Sequence, residues 1–201
     1  MLAVSACSRA LAGTDAASVA VERASAPTLS GLRAIGDRLA VRARYHDPRV
    51  HHTNRPADTP ASTIFDLVEL GRLDAIGVQW LAGVAKNLMA HPGAENDGVR
   101  WFAFECLSGR SAPPDKTRLV QAVRSTLPAR LVNDLTDLRD RLLDHAGIAS
   151  AAAAWSRAAG ATLPIRGKTL SLLPWQDGFP SLRNTALYGA IALRDLAVGT
   201  V

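Results

Sequence analysis

The chain has 201 residues, ample for one hydrophobic core, and 48% of them are hydrophobic, much of that alanine. Its formal charge of +5, carried by arginine far more than lysine, admits an anionic partner such as nucleic acid, an acidic protein segment or a phosphorylated ligand. GC-rich coding DNA would give the same bias with no partner. Two cysteines, Cys7 and Cys106, exclude a disulfide framework and a cysteine-only zinc site, and no stretch reaches the roughly 18 apolar residues of a membrane span.

The opening MLAVSACSRALAG superficially resembles a lipoprotein cleavage box at Val4 to Cys7, but lacks a basic leader and a long apolar run. The chain is therefore expected to be cytoplasmic, with residues 1–29 a mobile Ala/Ser-rich arm. From Ser30 to Tyr45, Leu32, Ile35 and Leu39 recur at helical spacing, with Ser30 as the expected N-cap. His46 to Pro60 has no periodicity and reads as a loop.

A long amphipathic helix is expected next. Thr59 suits its N-cap and Pro60 its first position, and a stripe from Ile64 to Leu88 runs until Pro92 and Gly93. Gly71 and Gly77 lie inside it, each costing about 1 kcal/mol relative to alanine. That cost implies close approach to the backbone by a neighbouring helix or a partner protein. A third helix is predicted over Val99 to Leu107, ended by Gly109. A fourth opens at Pro113-Pro114-Asp115, and a fifth spans about Arg130 to Ala146, closed by Gly147.

The alanine-rich stretch Ile148 to Ala159 is compatible with a sixth helix. Beyond Gly160 the character changes: Lys168 to Leu173 reads as a brief strand or a loop, and Ser181 to Val198 as helix-compatible. The expected architecture is all-α, a bundle of roughly five to seven helices. Residues 30–160 form one helical domain and 161–201 a divergent tail.

Candidate chemistry is sparse. His46, His51 and His52 share a loop with Asp47, but His-x4-His-His is not the spacing of a metalloprotease helix, and Arg49 and Arg55 oppose a cation. No metal ligand set is assigned. No Gly-x-Ser-x-Gly elbow occurs, and Cys106 falls on an apolar helix face. The triplet Gly167-Lys168-Thr169 lacks the glycine that a phosphate loop requires five residues earlier, where Thr162 stands. No catalytic residue is assigned. A basic face with Arg33, Arg38, Arg42 and Arg44 keeps open a small nucleic-acid-binding module, although only Tyr45 interleaves it. An ordinary solvated face, with local pairs such as Arg33–Asp37, explains the same residues.

The residues nevertheless form an ordered pattern: Ile35-Gly36-Asp37, His46-Asp47, His51, Phe65-Asp66, Glu69, Arg72-Leu73-Asp74-Ala75-Ile76-Gly77 and Gly83-Val84-Ala85-Lys86-Asn87-Leu88. Leu107 to Pro114 follows. This span, about 33–115, resembles the N-terminal region of the T subunit of the aerobic cobaltochelatase, the CobT family. Family members continue into an acidic linker and a von Willebrand A-type domain with a magnesium site. Nothing in this sequence up to Val201 resembles either, so that site is not carried over.

The resemblance implies a subunit of a complex that inserts cobalt(II) into hydrogenobyrinic acid a,c-diamide in cobalamin biosynthesis. ATP, magnesium and cobalt are used by the complex and no cofactor by this chain. The implied partners are an AAA+ ATPase subunit and a large corrin-binding subunit, in an oligomeric assembly, with this chain non-catalytic. Asp66, Glu69, Arg72 and Asp74 are the expected partner contacts, since the glycines leave that helix open to close approach. Their alternative is an exposed intrahelical Glu69–Arg72 pair, for which charge reversal would leave folding intact. His46 and Asp47 are expected to structure the loop.

Overall fold

The computed structural model describes residues 2–13, 28–91 and 98–163. Among these residues there are nine α-helices and no strand, so the all-α patterning holds while the helix number exceeds the expectation. The predicted strand or loop at Lys168 to Leu173 and the helix at Ser181 to Val198 lie outside the described residues, as do Pro92 and Gly93. Where one domain over 30–160 is expected, the described chain groups into two units. The first takes residues 2–13, 28–46 and 77–91, and the second residues 47–76 and 98–163.

The first unit begins with α1 (Leu2–Ala12), where a mobile arm is expected. Val4 packs with Leu32, Ile35 and Leu39 of α2 (Leu29–Tyr45), and Ala12 with Ala40 and Ala43. Contacts advance along both helices together, so α1 and α2 run in the same direction. Small residues at Ala12, Ala40 and Ala43 allow the approach, which a pattern search for large apolar residues does not detect. The N-cap of α2 is Thr28, not Ser30: its side chain accepts from the Gly31 N–H at 3.0 Å.

The long predicted helix is two. The helix α4 (Thr59–Trp80) ends at extended Leu81, and α5 (Ala82–Ala90) follows. Within the first unit, α5 returns against α2, where Asn87 Nδ2 donates to Asp37 Oδ2 at 2.7 Å and Arg38 Nη2 donates to the His91 carbonyl at 2.7 Å. Gly77, at the end of α4, would place a Cβ 3.3 Å from methyls of Val41, Val84 and Leu88. A neighbouring helix, not a partner protein, accounts for that glycine.

Asp37 is buried, and loss of solvation pushes its carboxyl above the ordinary carboxylate range against the opposing pull of Asn87, Arg38 and Arg33. A raised folded value means that the native state holds this proton more tightly than the unfolded chain. Asp37 thus favours folding below its unfolded value, and that contribution is lost as pH rises through the folded value. Asp37→Asn keeps an oxygen to accept from Asn87. It is expected to leave stability at pH 7 unchanged or raised by up to about 1 kcal/mol, and to flatten the acid side of a melting-temperature profile.

The second unit is built on α6 (Gly98–Ser108), of which all but Glu105 and Ser108 are buried. The predicted single apolar face understates this, because Trp101, Ala103 and Phe104 fill the other sides. Its end is as expected: Gly109 adopts φ +70°, and the Arg139 guanidinium donates twice to the Cys106 carbonyl, at 3.1 and 3.0 Å. A 3-10 turn at Pro114–Lys116 opens α7 (Thr117–Thr126).

The predicted fifth helix is broken. α8 (Ala129–Thr136) stops early, a 3-10 turn occupies Arg139–Arg141, and α9 (His145–Gly160) begins where an end is expected. Gly147 closes nothing. It lies in the first turn of α9, and its N–H donates to the N-cap carboxylate of Asp144 at 2.9 Å. Trp155 anchors α9 by donating Nε1–H to the Leu131 carbonyl at 2.7 Å and stacking on Phe102 at 6.3 Å.

Candidate functional site

Apart from Asp37 and Asn87, which pair in the first unit, the main polar residues of the ordered pattern lie on or near α4 in the second unit. The segment expected as a loop holds a short helix, α3 (Pro48–Asn54). Asp47 is its N-cap, its Oδ1 accepting from Arg49 N–H at 2.8 Å and Val50 N–H at 3.4 Å, with Pro48 at the first position. Those two bonds hold the exposed Asp47 carboxyl below its ordinary range. His46 closes α2, its backbone N–H donating to the Arg42 carbonyl. The pair thus sits at the junction of two helices.

α4 itself starts at the residue expected to be its cap, one position early. Asp58 Oδ1 accepts from Ala61 N–H at 3.0 Å, so Thr59 is already helical. The helix is not amphipathic: residues 61–69 and 71–78 are all buried. Burying a helix on every side forces its charged residues to find internal partners, and they do.

Three ion-paired groups result. Asp66, 1% exposed, accepts from His51 Nε2 at 3.0 Å and from Arg55 Nε and Nη2 at 2.9 and 2.7 Å. That carboxylate in turn raises the already high value of the Arg55 guanidinium. Glu69 accepts a two-pronged bond from Arg72, Nε and Nη2 at 2.7 and 2.8 Å, while Arg72 Nη1 donates to the Leu142 carbonyl at 2.8 Å. Asp74 Oδ2 accepts from Arg100 Nε and Nη2 at 2.8 and 2.6 Å. His145 joins the second group, its Nδ1 accepting from Asp47 N–H at 3.1 Å and its Nε2 3.4 Å from Glu69.

Gly71 sits between these groups against α6. A Cβ there would lie 2.6 Å from the Arg100 carbonyl oxygen and 3.0 Å from Phe104 N. The close approach expected on this helix is again made by a neighbouring helix.

The four residues expected to contact a partner therefore have inward roles in this structure. Asp66, Glu69, Arg72 and Asp74 are 1%, 5%, 1% and 3% exposed. The exposed Glu69–Arg72 pair is corrected outright: both side chains are enclosed, and the tolerance to charge reversal deduced from exposure does not follow. The carboxylates are held by guanidinium groups, an arrangement that locks helices together. Arg100 and His145 are the members that sequence reasoning missed. Their partners on α4 lie 26 and 76 positions away, and no local spacing signals such a bond.

Residues 20–101 match the family model described as "Cobalamin biosynthesis protein CobT". This span contains the pattern from Ile35 to Leu88 and every α4 residue of the three groups, whereas Leu107 to Pro114 falls beyond it. No solved structure matches the chain. Among the described residues no helix is long and apolar enough to cross a membrane.

Proposed function

We propose that this chain, which carries a CobT-family region at residues 20–101, serves as a non-catalytic subunit of an ATP-dependent aerobic cobaltochelatase. The observation that carries the reading is the coincidence of two patterns. Five of the residues by which the sequence resembles that family, His51, Asp66, Glu69, Arg72 and Asp74, take part in the bonds that hold α4 in place. A fixed internal scaffold suits a component whose work is assembly. In this reading cobalt(II) and hydrogenobyrinic acid a,c-diamide are substrates of the complex, and ATP with magnesium is used by an AAA+ partner. The large subunit holds the corrin ring, and the chain works in the cytoplasm. Asp66, Glu69, Arg72 and Asp74 would then serve partner binding by fixing the surface around them.

The test is co-expression with the AAA+ and large subunits, followed by co-purification and complementation of a T-subunit deletion scored by cobalamin-dependent growth. Retention of this chain with either subunit and restored growth are expected. Failure to associate with both would overturn the reading.

A further inference from the structure

The charge of the chain is unevenly placed. Among its described residues the first unit carries Arg9, Arg33, Arg38, Arg42, Arg44 and Lys86 against a single carboxylate, Asp37, which is buried. The second unit is close to balanced. The excess has a focus where α2 ends. The Arg44 guanidinium lies 4.7 Å over the Trp80 ring and 5.8 Å from the Tyr45 ring, and those two rings meet edge to face at 5.1 Å. Leu81, the residue that interrupts the helical run, follows directly and is 48% exposed.

We infer that this Arg44–Trp80–Leu81 surface docks an acidic protein segment carrying an apolar side chain among its carboxylates. Arg44 Nη1 donates to the Leu11 carbonyl at 3.5 Å, and stacking on the indole holds the guanidinium plane so that the Nε–Nη2 edge can meet a carboxylate in the two-pronged geometry that lysine cannot reproduce. Arginine and tryptophan are the residues most enriched where binding energy concentrates. Compensation of the α2 dipole would explain a cation in the last turn, at about 0.3–1 kcal/mol, but not an exposed leucine next in the chain to the ring it covers. Single-stranded nucleic acid fits less well. Bases need an open aromatic face, whereas Arg44 covers one face of Trp80 and Tyr45 packs against its ring, and phosphates make no use of Leu81. The surface is argued from the charges and rings of this unit alone and goes beyond the chelatase reading.

The probe is a fluorescein-labelled peptide of repeating Glu-Glu-Leu-Glu, compared with polyglutamate and oligo-dT of equal charge, by anisotropy with the full chain. The mixed peptide should bind most tightly at about 50 mM salt and weaken at about 200 mM. Arg44→Glu should weaken it about 10-fold and Arg44→Lys about 3-fold, the latter a variant that keeps charge and fold. Leu81→Ser should weaken the mixed peptide and leave polyglutamate unchanged. Reversing Arg118 and Arg130, exposed on the second unit, should change binding less than about 2-fold. No binding at the lower salt, tighter binding of oligo-dT, or an equal loss from the second-unit reversal would each overturn the inference.

Discussion

Replacing Arg72 by alanine should lower stability by about 3–5 kcal/mol, a large share of the total for an ordinary domain. The side chain is 1% exposed, and its bonds include two to Glu69 and one to the Leu142 carbonyl. Truncation leaves a buried carboxylate without its guanidinium, with His145 Nε2 at 3.4 Å. It also removes the donor that ties the segment before α9 to α4. Charge reversal to glutamate would cost more, since two carboxylates would face each other inside the unit. Removing both charges, as Glu69→Leu with Arg72→Met, should recover most of the loss, because neither partner is then left bare. Urea denaturation followed by circular dichroism measures all three. A loss below about 1 kcal/mol for Arg72→Ala would mean that water reaches the pair and that it behaves as a surface one.

The Glu69–Arg72 pair marks the boundary of what the sequence discloses. Its three-residue spacing is visible, and so is the inference that the two side chains meet. Their burial is not, because it comes from Leu142 and His145, some 70 positions away, and from apolar residues on every side of α4. The same limit explains α3. Asp47-Pro48 has the cap-and-proline chemistry that Thr59-Pro60 also displays in sequence, but only His51 of that helix is buried, so no apolar period accompanies it. The break between α8 and α9 is hidden by a leucine pattern, Leu135, Leu138 and Leu142, that continues across it. Arg139, which caps α6 from the intervening turn, is a tertiary reason for the break that no local window contains. Ends set by local chemistry, such as Gly109 after α6, are legible. The α4 members of the candidate site are legible as a set, while their inward direction and their partners Arg100 and His145 are not.

Gly71→Ala is the other substitution with a large expected effect, and helix propensity predicts the wrong sign for it. Alanine is favoured over glycine within a helix by about 1 kcal/mol. Here the added Cβ would stand 2.6 Å from the Arg100 carbonyl oxygen, 2.9 Å from Ala103 Cβ and 3.0 Å from Phe104 N. Two of these atoms are backbone of α6, a helix enclosed on nearly all sides, so relief requires moving a whole element. The net loss should be about 1–3 kcal/mol, with further strain on the Asp74–Arg100 pair because Arg100 is the residue displaced. Two other glycines calibrate it. At Gly77 the Cβ would meet only side-chain methyls at 3.3 Å, which can shift, and the cost should be smaller. At Gly83 no atom lies within 4 Å, and alanine should stabilise by up to about 1 kcal/mol. The order of unfolding midpoints, Gly83→Ala above the parent and Gly71→Ala lowest, is the measurement. A neutral Gly71→Ala would mean that α4 and α6 stand further apart than described. The glycine would then again require an explanation from outside this chain.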